Sequence, residues 1–440
     1  MDKHSRKHWA HWANRMLMAL EGASIGAAAA FVICSFRILR DKAAPYIMLW
    51  LSDWRELWWK PIIWLIVLIV AARFLGWLVR KIPLISGSGI PQTELVIMGK
   101  LHISRMDWLK VLIAKFVACL VGMLGGLSLG RAAPCIQMGA ATAALVNALW
   151  EHFSVSGRIA ISAGAAAGLT AAFGAPIAGF LFVFEEMHTK ITRMGVLIIL
   201  TSVLTAQIVT SQVFGLDTLF PFDLFLIPEV IQHLWLIPVM GVTMGAAGVF
   251  YSRSLIAVKN AEALHTPLSQ DWRILPPMLT AFILMFTFPA VLGGGDELIA
   301  SLALLAPAPD TVLKLLFLTV VLKTSFAIFS YTGNVPGGIL MPILCIGALL
   351  GALCGQILLA LGLLGSQEWQ MCIIYGMAGF FTAVIRTPLT GAAVAMEISG
   401  SLTCLPGSAA IAFLASWTAD QLNTPPIYDS MRAAIVIRRR

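Results

Sequence analysis

Three short motifs rich in glycine and proline are the parts of this sequence best suited to binding a small charged ligand. They are residues 87–91 (GSGIP), 130–134 (GRAAP) and 337–342 (GGILMP). In each motif Pro occupies a position typical of a first helical turn, and Gly lets other backbone approach closely. N–H groups of a first turn have no intrahelical acceptor, so they can donate to an anion. Several such helix starts converging in low-dielectric protein would form an anion site without a trapping full charge.

The elements that position these motifs are predicted to be membrane helices. Of the 440 residues, 59% are hydrophobic and only 12% are charged. The mean hydropathy of +0.87 is too high for a water-soluble globular protein. Uncharged apolar stretches long enough to cross about 30 Å of hydrocarbon recur at 194–214, 234–250 and 274–292. The sequence therefore predicts an all-α integral membrane protein that crosses the bilayer several times.

Many of the apolar segments are interrupted by small residues. Gly, Ala and Ser cluster at 122–130, 164–179 and 333–355, a pattern that close helix packing would produce. Broken helices are tolerated at membrane depth only where the freed backbone groups are buried in protein or line a polar cavity. We therefore expect tilted and broken helices around a cavity near the membrane midplane.

An internal repeat relates the two halves of the chain. Residues 130–140 and 338–348 share the spacing G-x3-P-x4-G-A, and 176–185 matches 388–397 with Pro, Gly and Glu at equal separations. A weaker third pair is 87–89 and 293–295. Broken motifs at corresponding positions are expected of inverted-repeat transporters.

We therefore divide the chain into two repeat halves and three flanking segments. The divisions are a basic lead-in at 1–15, a first transmembrane half at 16–215, a linker at 216–229, a second transmembrane half at 230–430 and a basic tail at 431–440. By the positive-inside rule both termini are predicted to be cytoplasmic, in a multi-pass protein of the cell (inner) membrane.

The charge pattern favours lipid over nucleic acid as a partner. The net charge of +8 comes from basic residues spread over short loops and helix ends, where they would anchor the protein at an anionic leaflet. The Cys residues occur singly, without a C-x-x-C pair, and no His stands at metal-ligand spacing. No catalytic arrangement of Ser, His and acid stands out. This lack of a catalytic arrangement argues against a membrane enzyme or a lipid-handling protein. We expect no nucleic-acid partner, no metal, no cofactor and no enzymatic activity.

These motifs, in this order, resemble those of the CLC family of chloride channels and chloride/proton antiporters. The family's GSGIP motif stands intact at 87–91, its G-R/K-E-G-P motif is altered at 130–134, and its G-x-F-x-P motif corresponds to 338–342. Its P-L/I-A-G…E-E segment corresponds to 176–186. The resemblance covers nearly the whole chain. It implies two inverted-repeat halves and a homodimer with one pore per subunit.

The resemblance also implies a central anion site. The anion would be held by the hydroxyl groups of Ser88 and Tyr428 and by the backbone N–H groups of Ile339 and Leu340. Hydroxyls and amides bind a halide without adding full charge, so the ion can both bind and leave. Taken alone, Ser88 also fits a turn and Tyr428 an interfacial aromatic belt. Chloride and similar small anions are not distinguished by these residues.

Ala132 is the main departure from the family pattern. The family has a Glu there, whose carboxylate lies in the anion path, competes with chloride and carries the proton in antiporters. A methyl group can do neither, although the N–H groups of Ala132 and Ala133 remain available for an outer anion site. The sequence therefore predicts passive, channel-like conduction. The alternative is a chloride/proton antiporter that uses an unusual proton route.

Two retained carboxylates bear on that alternative. Glu186 corresponds to the family's internal proton-transfer Glu, and Glu94 to a supporting carboxylate near the same path. An ionisable residue in a membrane segment is a functional hypothesis by default. The other interpretation is that Glu185 and Glu186 are solvated or paired near Lys190 and Arg193 at a cytoplasmic helix end.

Three further charged residues have two interpretations each. Lys115 and Arg131 match basic positions near the family's pore, where they would attract anions, but structural pairing is equally consistent. Glu397 repeats Glu185 in the second half, which favours a role in the fold over a second proton site.

Overall fold

The computed structural model describes residues 3–150, 157–187, 192–220, 222, 234–303, 310–365 and 368–437. Within these residues the chain forms seventeen α-helices and no β-strand. The helices, in chain order, are α1 (Lys3–Leu51), α2 (Trp59–Lys81), α3 (Ile90–Ile97), α4 (Arg105–Leu124), α5 (Ala132–Asn147), α6 (Gly157–Phe173), α7 (Pro176–Glu185), α8 (Arg193–Phe214), α9 (Leu236–His265), α10 (Leu275–Thr287), α11 (Asp296–Ala303), α12 (Asp310–Ser330), α13 (Leu340–Ala360), α14 (Trp369–Ile385), α15 (Pro388–Ser399), α16 (Leu405–Gln421) and α17 (Ile427–Ile437).

Helices that could cross a membrane occur throughout the described residues. Seven helical stretches there, drawn from α1, α2, α8, α9, α12, α13 and α16, are long and apolar enough to span a bilayer. Large apolar side chains such as Phe31, which is 72% exposed, and Phe413 point outward. Such faces suit lipid rather than water. The prediction of an all-α membrane protein is confirmed. The predicted span 194–214 lies within α8, and 234–250 lies within α9 except for its first two residues.

The prediction of one span at 274–292 is wrong. Helix α10 ends at Thr287, and a separate 3-10 helix covers Pro289–Val291. Phe288 between them has φ −148° and ψ 68°, outside the helical region. Pro289 disfavours a helical conformation in the residue before it, which explains the break. The hydropathy of the segment is continuous although its helix is not.

Short buried helices match the prediction of broken elements. Helices α3 and α11 contain eight residues each. At 1.5 Å per residue each is about 12 Å long, too short to cross the hydrocarbon core. Seven of the eight residues of α3 are buried. Its ends are therefore surrounded by protein, where backbone groups can bind other partners.

The two halves of the chain contain matching lysine contacts. Lys115 on α4 is fully buried and its Nζ donates to the carbonyl oxygens of Ile85, at 2.9 Å, and Gly87, at 2.6 Å. Lys323 on α12 is also fully buried and donates to the carbonyls of Val291, at 2.9 Å, and Gly293, at 2.8 Å. Each lysine fixes the loop before a short helix, which supports structural pairing for Lys115.

The carboxylates at the ends of α7 and α15 cap each other's helices. The Glu185 carboxylate accepts hydrogen bonds from the N–H groups of Leu389 and Thr390, at 2.9 and 2.6 Å. The Glu397 carboxylate accepts from Ile177 and Ala178 at 2.9 and 2.8 Å. A carboxylate at a helix N-terminus satisfies free donors and the positive end of the dipole. Glu397 therefore has the structural contacts expected of a fold element.

Parts of the predicted segments lie outside the described residues. These are residues 1–2 of the lead-in, 151–156 and 188–191 of the first half, 221 and 223–229 of the linker, 230–233, 304–309 and 366–367 of the second half, and 438–440 of the tail. Helix α1 begins at Lys3 and continues through the lead-in to Leu51. The boundaries 16–215 and 230–430 of the two halves stay predictions.

Candidate anion site

The three glycine-rich motifs are joined by backbone hydrogen bonds. The N–H of Gly130 donates to the Gly338 carbonyl at 2.7 Å, and the N–H of Gly338 donates back to Gly130 at 3.1 Å. The N–H of Gly337 donates to the Gly87 carbonyl at 3.0 Å. The loops before α3, α5 and α13 therefore meet, as their composition predicted.

Close packing explains why glycine is needed where α5 and α13 begin. A Cβ on Gly338 would lie 2.8 Å from the Cβ of Ala133, and one on Gly130 would lie 2.5 Å from the Cβ of Met341. Both distances are well below normal contact between carbon atoms. Each helix start therefore fits against the other only because the facing residue has no side chain.

The helix starts leave backbone donors free in a buried place. Ala132 and Ala133 are the first two residues of α5, while Ile339 precedes α13 and Leu340 begins it. All four side chains are buried. The first four N–H groups of a helix have no intrahelical acceptor. The N–H groups at these positions can thus donate to an anion.

The two predicted hydroxyl ligands belong to neighbouring elements, the loop before α3 and the helix α17. Ser88 lies just before α3 and its Oγ accepts from the N–H of Ile90 at 3.3 Å. Tyr428 lies in the first turn of α17, which packs against α3. The Tyr428 side chain is fully buried, and its hydroxyl has no hydrogen-bond partner among the described residues. A buried hydroxyl without a partner is costly, so this arrangement fits a donor that serves a ligand.

Arg131 is neutralised beside the outer positions. Its Nη2 lies 3.5 Å from Oδ1 of Asp296 on α11, and Arg40 on α1 donates to Oδ2 of the same carboxylate at 2.9 Å. Arg131 is almost completely buried. Arg40 also donates to Asp41, so the two arginines face two carboxylates and this cluster has no net charge.

Glu94 and Glu186 form a buried pair. Glu94 is 0% exposed and Glu186 is 4% exposed, and their side chains interact electrostatically. Arg432 on α17 donates to Oε2 of Glu94 at 2.7 Å. The burial of Glu186 argues against a solvated helix end. Lys190, its suggested partner, lies outside the described residues.

Sequence reasoning missed three residues that hold this region together: Lys323, Tyr331 and Arg432. Lys323 could have been found, because it follows Lys115 by 208 residues, the same displacement that separates Gly130 from Gly338. Tyr331 accepts from the N–H of Ser88 at 2.8 Å. Neither Tyr331 nor Arg432 belongs to a repeated motif, so only the fold reveals their contacts.

The fold and site define a class of protein: an integral membrane transporter in which broken helices direct their N-termini into a buried site. Comparison with known proteins places it more narrowly. The family profile described as "Voltage gated chloride channel" matches residues 66–420. Because this match covers most of the chain, the protein belongs to the CLC family of chloride channels and chloride/proton antiporters.

Curated relatives are similar over most of their length. The "H(+)/Cl(-) exchange transporter ClcA" of Vibrio vulnificus (strain YJ016) is 30% identical over 367 residues, which is 80% of this chain and 77% of the relative. The protein of the same name from Cronobacter sakazakii (strain ATCC BAA-894) is 28% identical over 393 residues, covering 86% of this chain and 81% of the relative.

Solved structures share the fold. A slow cyanobacterial Cl⁻/H⁺ antiporter matches with a TM-score of 0.86 and 23% identity, covering 96% of this chain and 98% of that chain. A CLC-type fluoride/proton antiporter matches with a TM-score of 0.73 and 22% identity, covering 93% of this chain and 96% of that one. At this level of identity the likeness establishes the fold alone.

A matched pair of lysine variants should separate stability from anion binding. Lys115→Met removes a donor from two backbone carbonyls and Lys323→Met from three, so each should lower the free energy of unfolding by about 2–4 kcal/mol. Of the two lysines, only Lys115 donates a hydrogen bond to the carbonyl of Gly87, the residue before Ser88. We expect weaker chloride binding for Lys115→Met alone, measured by calorimetry on folded protein. Equal affinities in the two variants would contradict a special role for Lys115 in positioning Ser88.

Proposed function

We propose that this chain conducts chloride and similar small anions passively across the membrane, without exchange for protons. Family membership and the joined helix starts support anion transport, since free N–H groups and hydroxyls suit a halide. The curated relatives are H⁺/Cl⁻ exchangers by name, which supports chloride as the anion. The proposed function differs from the exchange named for those relatives only in that it lacks proton coupling.

Ala132 is the observation that carries the proposal. It begins α5, is fully buried and stands immediately after the Gly130–Gly338 contact. A carboxylate at this position could bind the free N–H groups of α5 and carry a proton. The methyl group has no charge and no titratable proton. Anions therefore meet no competing acid at this position.

Proton exchange remains the second candidate function. The Glu94–Glu186 pair favours it, because two buried carboxyl groups that interact form a site where a proton can be held. Arg432 joins Glu94 to α17, the helix that also carries Tyr428. Simultaneous recording of chloride and proton movement in liposomes distinguishes the two functions.

The proposal also covers the oligomeric state of the protein and its orientation in the membrane. We propose a homodimer with one pore per subunit, placed in the inner membrane with both termini cytoplasmic. The basic residues at 1–15 and 431–440 support this orientation. Cross-linking in native membranes tests the dimer, and protease protection of terminal tags tests the orientation.

A bromide-soaked crystal tests the central site directly. We expect anomalous density within about 3–3.5 Å of Ser88 Oγ and Tyr428 Oη, because both groups are buried donors. The N–H groups of Ile339 and Leu340 should complete the coordination. The same soak of a Ser88→Ala/Tyr428→Phe protein serves as the control and should show weaker density. Density of equal strength in both proteins, or none in the unmodified one, would count against this site.

A further inference from the structure

A third buried hydroxyl group lies against the first motif. Tyr331 directly follows α12 and is only 2% exposed. Its Oη accepts a hydrogen bond from the backbone N–H of Ser88 at 2.8 Å. A Cβ on Gly87 would lie 2.8 Å from the same oxygen. The Tyr331 hydroxyl is thus in contact with the turn that carries Ser88.

The proton of the Tyr331 hydroxyl has no strong acceptor within the described part of the chain. A tyrosine hydroxyl has one proton to donate, and accepting from Ser88 leaves that proton available. The contact found for it is the thioether sulfur of Met431, at 3.7 Å, which is a weak acceptor. Met431 follows Tyr428 by three residues on α17, so the two share a helix face. Tyr331 therefore approaches the same face of α17 that carries Tyr428.

A cation lies over the ring of Tyr331. The Nζ of Lys259 on α9 is 4.7 Å from the ring centroid. An ammonium group near a ring face is attracted to its electrons. By drawing electron density from the ring, it also strengthens the O–H group as a donor. The Tyr331 O–H, which has only a weak acceptor and a cation over its ring, favours an anionic ligand over a cationic or apolar one.

We propose that Tyr331 is a further anion-selecting residue of the central site. It donates its O–H to the anion and, by accepting from Ser88, it fixes the Ser88 backbone beside that anion. This inference rests on the proposed function. A hydrogen bond to an ion strengthens as the ionic radius falls, because the charges approach more closely. Tyr331 therefore favours chloride over larger, weakly hydrated anions such as thiocyanate.

The test removes only the hydroxyl group. For Tyr331→Phe in detergent-purified protein, we expect the Kd for chloride, measured by calorimetry, to rise about tenfold, as loss of one charge-assisted hydrogen bond predicts. In liposomes the ratio of thiocyanate to chloride flux should rise as well. Tyr375→Phe is the matched control, since Tyr375 is a buried tyrosine on α14 whose ring lies against Gly407 on α16. This control should leave affinity and flux ratio unchanged.

A change in flux ratio separates selection of the anion from mere structural support. If Tyr331→Phe does not fold, Lys259→Gln keeps the hydroxyl and should raise the chloride Kd about threefold. Unchanged affinity and flux ratio in a folded Tyr331→Phe protein would overturn the inference, as would unchanged affinity in Lys259→Gln when the other variant is misfolded. Failure of the unmodified protein to bind chloride at all would instead refute the proposed function.

Discussion

A chloride gradient across liposomes that contain this protein is expected to drive chloride flux without uphill proton movement. A gating carboxylate would meet the external solution and then enter the anion path, and Ala132 provides no such group. For the same reason the flux should change by less than about twofold between external pH of about 4 and 7, where a carboxylate gate would titrate. Chloride efflux and external pH are recorded together.

Two controls exclude leak and an insensitive proton assay as explanations for this result. Liposomes without protein report leak, and a coupled exchanger such as a ClcA relative shows that the assay detects proton pumping. A Glu186→Gln variant of this chain should conduct chloride at an unchanged rate, since passive conduction does not use the buried carboxylate pair. Sustained proton uptake driven by chloride in the unmodified protein, lost in Glu186→Gln, would establish the antiporter alternative instead.

Local chemistry in the sequence was enough to predict where the helix starts lie. Pro in a first turn and Gly at a close approach act within a few residues, so 130–134 and 338–342 could be placed correctly. Equal spacing in the two halves also indicated that Glu397 is a fold element. Its carboxylate indeed caps α7, while Glu185 caps α15.

Long-range contacts could not be predicted in the same way. Tyr331 meets Ser88 across 243 residues, and Arg432 meets Glu94 across 338 residues. The first contact depends on how the end of α12 meets the loop before α3, and the second on how α17 packs against α3. No local spacing encodes either arrangement. The wrong prediction of one span at 274–292 has a different cause. The hydropathy of this segment is continuous, but Pro289 ends the helix within it. Residue-level ligation of an anion stays a prediction.

Restoring the acid in Ala132→Glu is expected to slow chloride conduction at neutral pH by at least about tenfold. The ionised side chain would bind the free N–H groups at the start of α5 and compete there with chloride. Protonation removes that negative charge, so conduction should recover as the external pH falls. The measurement is chloride efflux at several external pH values. The unmodified protein should give a nearly flat profile.

Ala132→Gln is the matched control, because glutamine has nearly the same size as glutamate and cannot ionise near neutral pH. Both variants narrow the path, so both can lower the rate, but only the Glu variant should recover in acid. The ratio of acid to neutral flux therefore isolates charge from volume. Proton uptake by Ala132→Glu, absent from Ala132→Glu/Glu186→Gln, would show that the buried pair connects to the pore. Equal pH profiles for the Glu and Gln variants would mean that position 132 lies outside the anion path. Ala132 could then not explain uncoupled conduction.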